Sequence, residues 1–162
     1  MTRSVIDLIL APMSAPISVK LLDGVDRLLL GALQDDCKRS LAELGELVNL
    51  SPGPVMERIR KLEEHGFITG YHASLDARKA GLDIGAFIGV GIDHPRNQSG
   101  FEKCIEVIPE VLESHHVTGR HSLMLKVRTH DTESLQKLIS RLRELPGVER
   151  TETMVILQTQ LE

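Results

Sequence analysis

Tryptophan is absent from the 162-residue chain, tyrosine occurs once and phenylalanine three times. A core must therefore rest on Leu, Ile and Val, and the aromatic platforms on which single-stranded bases stack are missing. Cysteine occurs twice, at Cys37 and Cys104, in neither a CxxC pair nor a disulfide framework, which fits a reducing, cytoplasmic address. No run approaches the roughly 20 apolar residues that span a bilayer. Arg3 followed by VIDLILA loosely imitates a secretion signal, but Asp7 interrupts the stretch, and Pro12 and Pro16 make residues 1–20 an extended arm. Catalytic signatures are lacking too: there is no GxSxG, no HExxH and no Gly-rich phosphate loop. Paired acids such as Asp35–Asp36 and Glu63–Glu64 fall on faces expected to be solvated, with no enclosed place for acid–base chemistry. The expectation is no catalytic residue, no metal and no cofactor. His115, His116 and His121 come nearest to a metal set. A hairpin turning at Gly119–Arg120 would put only His116 and His121 on one face, short of the four ligands of a closed zinc site.

What is present is an ordinary foldable composition, 41% apolar and 26% charged, with a net charge of -4. Residues 20–72 carry seven basic and nine acidic side chains. Any contact with nucleic acid must then come from a local cluster of cations rather than from overall charge.

Three helices are written into the first half. In LLDGVDRLLLGALQDDC, Val25, Leu28, Leu29 and Leu33 recur at helical spacing behind a capping Asp23. In DCKRSLAELGELVNLS, Leu41, Leu44 and Val48 share a face, Ser40 and Glu43 form a capping box, and Asn49 suits the left-handed residue of a tight turn. Ser51 then caps a third helix with Pro52 at its first position. Val55, Ile59 and Leu62 point inward, Gly53, Glu57, Arg60, Lys61 and Glu64 outward, and Arg58 lies on the flank. His65–Gly66 stops the helix, and FITGYHASLD alternates as a wing or exit strand should. A tight turn before a helix with a polar, partly basic face is the pattern of a helix-turn-helix reader of DNA; an ordinary three-helix core with a solvated face fits the same pattern.

After a hinge at ASLDARKAGLD the periodicity changes. IGAFIGVGID alternates as a strand, HPRNQSG reads as a turn, and FEKCIEVIPEV as a helix ended by Pro109. VLESHHVTG and SLMLKVRT follow as a hairpin, Asp131 caps a helix bearing Leu135, Leu138, Ile139 and Leu142, and VERTETMVILQTQ is a last strand. The order βαββαβ is the ferredoxin-like split. The fold class is α+β, a winged helix-turn-helix followed by this second domain. The expected division is an arm over 1–20, a DNA-binding domain over 21–68, a hinge over 69–83 and a regulatory domain over 84–162. Two helices cover one sheet face, and a bare apolar face opposite predicts a second copy packed on it.

The run LSPGPVMERIRKLEEHGFI, within a likeness extending from Leu21 almost to the end, resembles the Lrp/AsnC family of prokaryotic regulators. The resemblance implies that Ser51 and the first helical N–H groups, with Pro52, hold a phosphate, while Gly53, Pro54 and Glu57 face base edges. Arg58, Arg60 and Lys61 would make phosphate or base contacts on double-stranded DNA. It implies a homodimer that assembles into tetramers or octamers around a small effector, an amino acid or organic acid. The effector turn corresponds to Thr118, Gly119, Arg120, His121 and Ser122, where this chain has cationic and neutral side chains in place of the acids frequent in the family. Such a lining favours a carboxylate over a free ammonium. A ligand-free turn or an ordinary amino acid remain alternatives. Siroheme decarboxylases resemble the same layout and would use His115, His116, Arg120 and His121; a ligand-sensing oligomer that does not bind DNA is a third reading.

Overall fold

The computed structural model describes residues 22–159, which divide after Ala73 into two compact units. The arm expected over residues 1–20 lies outside the described residues.

The first unit holds α1 (Gly24–Asp35), α2 (Leu41–Val48) and α3 (Pro52–Glu64). The side-chain caps expected at Asp23 and Ser40 form. Asp26 N–H donates to Asp23 Oδ1 at 2.8 Å, and Ser40 and Glu43 satisfy each other's backbone N–H groups at 2.7 and 3.2 Å. Leu29, Ala32, Leu44 and Val55 make the buried centre. Ala32 takes the place expected of Leu28, which is exposed, because the stripe through Val25, Leu29, Ala32 and Leu33 leaves Leu28 off its axis.

The α2–α3 turn depends on two residues. Asn49 adopts φ 54° and ψ 47°, and the Leu50 N–H then donates back to the Gly45 carbonyl at 2.9 Å. A Cβ on Gly45 would fall inside 3.0 Å of the Leu50 carbonyl oxygen, so only glycine lets the chain double back this closely. α3 closes in a paired hydrogen-bond motif, with Gly66 N–H bonded to Glu63 C=O at 2.9 Å and Phe67 N–H to Leu62 C=O at 2.8 Å. The ribbon expected over FITGYHASLD does not form: among the described residues no strand pairs with it, and alternation without a ladder partner does not make a strand.

The second unit begins with the expected hinge, which is itself folded. Asp76 Oδ1 accepts from the N–H groups of Arg78 and Lys79, and Leu82 N–H closes on the Ala77 carbonyl. Then come β1 (Ile84–Ile92), α4 (Pro95–Ile105), β2 (Val111–His116), β3 (Leu123–Thr129), α5 (Thr132–Arg143) and β4 (Val148–Val155). The antiparallel sheet runs β2-β3-β1-β4, the ferredoxin-like order. α4 starts inside the stretch read as a turn, because His94 caps it and Pro95 occupies the first helical position, where a missing N–H costs nothing. It ends at Ile105, ahead of Pro109. Ala86, Ile88 and Val90 meet Phe101, Ile105, Leu135, Leu138 and Leu142 in one core on the helix side of the sheet.

Candidate nucleic-acid interface and effector turn

On α3, burial of Val55 and Leu62 fixes which side faces out. Ser51, Pro52, Gly53, Pro54, Glu57, Arg60 and Lys61 are all exposed. Ser51 holds the cap position through its backbone alone and makes no side-chain capping bond. Arg60 lies between two carboxylates: Nη2 donates to Glu57 Oε2 at 2.8 Å and Nη1 to Glu64 Oε1 at 2.9 Å. The guanidinium holds the Glu57 carboxyl below its ordinary range. Lys61 stands beside this chain of charges at the surface.

Arg58 is engaged within the first unit. Its Nη1 is 2.7 Å from both Asp23 Oδ2 and Asp26 Oδ1, and its side chain is only one-third exposed. The flank position foreseen from the helical projection is correct, but two acids at the start of α1 occupy the guanidinium. The sequence separations of 35 and 32 residues leave no local signal for this pairing.

The expected effector residues are joined by two residues of β4 that the sequence reading missed. β2 and β3 are linked by residues 117–122, a wider connection than the tight turn foreseen, closed by Val117 N–H on the Ser122 carbonyl at 3.3 Å. Thr118, Gly119 and Arg120 are exposed on it. Ser122 is committed to the sheet: its N–H donates to the Val90 carbonyl and its Oγ accepts from Ile92 N–H at 3.2 Å. His121 folds onto β1, where a Cβ on Gly89 would sit 2.7 Å from its ring carbons. Glu152 then lies 3.1 Å from His121 Nε2 and 3.3 Å from Arg120 Nη1, and Arg150 donates to the Arg120 carbonyl. An acid of β4, on the far side of β1, thus stands beside the turn. The lining is therefore of mixed sign rather than cationic. His121 Nδ1 is buried and has no hydrogen-bond partner.

The face expectation for the histidines is overturned as well. His116 turns to the helix side, 2.8 Å from Glu102 and beside Gln98 of α4, whereas His121 lies on the opposite side over Gly89. His115 pairs with Glu113 at 3.0 Å. The three do not share one face of the sheet, and no group of three or more His, Cys, Asp or Glu side chains that could hold a metal ion occurs among the described residues.

The helix-free face is not uniformly apolar. Phe87, Met124 and Met154 occupy its middle, Lys126 and Glu113 pair at 2.8 Å towards the β2 edge, and Arg150 and Glu152 stand towards the β4 edge. Gly85, Gly89 and Gly91 flank Phe87 on this face, and the side chains of Arg128, His121 and Arg150 lie over them.

Two family models match the chain: an AsnC-type helix-turn-helix domain over residues 22–63 and an Lrp/AsnC ligand binding domain over residues 85–162. The regulatory protein AsnC of Escherichia coli strain K12 is 31% identical over 139 residues, 85% of this chain and 91% of that protein. The leucine-responsive regulatory protein of Klebsiella pneumoniae is 36% identical over 140 residues, 85% of each chain. Among solved structures, a feast or famine regulatory protein from M. tuberculosis complexed with L-methionine superposes with a TM-score of 0.82 at 32% identity, covering 87% of this chain and 95% of that one. With its helix-turn-helix and its ligand-binding domain, the chain belongs to the Lrp/AsnC family of transcriptional regulators.

Proposed function

We propose that this regulator is a cytoplasmic, non-enzymatic homodimer that reads double-stranded DNA through α3 and answers to a small carboxylate-bearing effector at residues 118–122. The outward face of α3 carries the reading: Ser51, Pro52 and the first N–H groups approach a phosphate, Gly53, Pro54 and Glu57 approach base edges, and Arg60 and Lys61 supply cations. Arg58 holds the helix in place rather than contacting DNA. The domain limits follow as 21–68 for the reader, 69–83 for the connection and 84–162 for the regulatory domain.

At the effector turn, Arg120 and His121 would hold a carboxylate and Glu152 an ammonium, so an amino acid or a related acid suits the mixed lining. A second copy covers the helix-free face around Phe87, and two linked readers gain effective concentration on paired half-sites. Tetramers or octamers would extend the same assembly. The observation that carries the reading is the exposure of a polar helix face immediately after a tight Asn49–Leu50 turn. The experiment is a gel-shift titration on promoter DNA with and without each amino acid, alongside the visible absorbance of the purified protein. A shift modulated by one amino or organic acid is expected; tetrapyrrole absorbance without any shift would instead favour the decarboxylase.

A further inference from the structure

On the outer face of α3, the first side chains able to address a base edge come late. Gly53 has no side chain and open space around it, and Pro54 has neither a donor nor an acceptor beyond its backbone carbonyl. Arg58 is held by Asp23 and Asp26. Among the outward polar groups of this face, Glu57 and Arg60 lie one turn apart, joined at 2.8 Å and each more than half exposed. Glu64 anchors the other end of the guanidinium at 2.9 Å. Of the five N–H donors of Arg60, two are engaged and three stay available.

In the major groove a C·G pair presents the cytosine N4 amino donor next to two guanine acceptors, O6 and N7. A carboxylate beside a guanidinium offers an acceptor next to a fork of donors, the complement of that arrangement. An A·T pair places its one donor between two separated acceptors and leaves part of the fork without a partner. Resting on the reading of α3 as the DNA-contacting helix, we propose that Glu57 and Arg60 act as one preformed unit that reads a single C·G base pair in each half-site. Glu57 accepts from cytosine N4, and Arg60 donates to guanine O6 and N7. Their mutual ion pair limits the side-chain freedom lost on binding, and the direction from Glu57 to Arg60 along α3 sets which strand carries the cytosine. Lys61, on the same face but outside the pair, serves the phosphates.

The test is selection of bound duplexes from a randomised pool by the full-length protein, repeated with Glu57→Gln and Lys61→Ala, each verified as folded by circular dichroism. The wild type is expected to enrich half-sites with one fixed C·G pair. Glu57→Gln should move the preference at that one position towards A·T and bind the original site about ten-fold more weakly, since glutamine pairs with adenine. Lys61→Ala should lower affinity for every sequence alike. An enriched half-site with no fixed C·G pair, or an identical motif from Glu57→Gln, overturns the paired reader while leaving α3 as the DNA-binding helix. A wild-type protein that binds no duplex overturns both.

Discussion

Arg58 Nη1 lies 2.7 Å from Asp26 Oδ1, tying the middle of the third helix to the first turn of the first. The same nitrogen reaches Asp23 at 2.7 Å, so one guanidinium serves both carboxylates of a capping box. Arg58→Ala should cost about 1 kcal/mol, a modest value because the arginine is one-third exposed. It should also weaken DNA binding without changing which sequence is preferred. Denaturant unfolding and a competition gel shift measure the two effects separately.

The same contact sets a pH dependence. The Asp26 backbone N–H first, and Arg58 after it, hold the Asp23 carboxyl below the usual carboxylate range. The folded state thus prefers the ionised form. Its contribution is complete above about pH 4, the value of an unfolded aspartate, and is lost as the pH falls through the lower folded value. Asp23→Asn should be less stable than wild type at neutral pH, and the gap should close in acid. A gap that stays constant down to pH 2 would count against it.

Gly45→Ala should destabilise the first unit by about 2 kcal/mol or more, since its Cβ would meet the Leu50 backbone carbonyl rather than a side chain able to swing away. Calorimetry resolves it, and an unchanged transition for the first unit is the contrary result.

Tyr71 is a natural reporter, because the chain has one tyrosine and no tryptophan. Partial burial, then the 2.8 Å hydrogen bond to Glu63, raises its phenol to about 12. The phenol contributes stability that is whole below pH 10 and declines as the pH rises through its folded value. Absorbance at the phenolate band should show ionisation near pH 12 in the folded protein, and Glu63→Gln should bring the midpoint back towards 10.

Phe87 lies between Lys126 and Met154 on the helix-free face. Phe87→Lys places a second cation beside Lys126 and should convert the proposed dimer to monomer in sedimentation velocity, with about 100-fold weaker DNA binding from the lost linkage. A variant that still sediments as the wild type would mean that the copies meet elsewhere.

Local chemistry was legible in the sequence where the determinants are neighbours along the chain. Asp23, Ser40, Asn49 and Asp131 announce their caps and turn within three residues, and the alternation from Ile84 to Ile92 marks the buried side of β1. The start of α4 was hidden because proline, asparagine and glycine signal turns as readily as first helical positions. Arg58 and Glu152 were illegible for another reason. Each finds its partner only after the chain has folded, across 32 residues for Asp26 and across two strands for His121. Side-chain patterns report the face a residue occupies and not which opposite charge will arrive there.

The ring of His121 lying over Gly89 also links the mutations open to the two positions. A side chain gained at position 89 while histidine remains at 121 collides with the ring, whereas a smaller residue at 121 is free to come first. The two positions are coupled: a smaller residue at 121 leaves room for a side chain at 89, whereas a side chain gained at 89 first forces the imidazole to swing off β1 and away from Glu152.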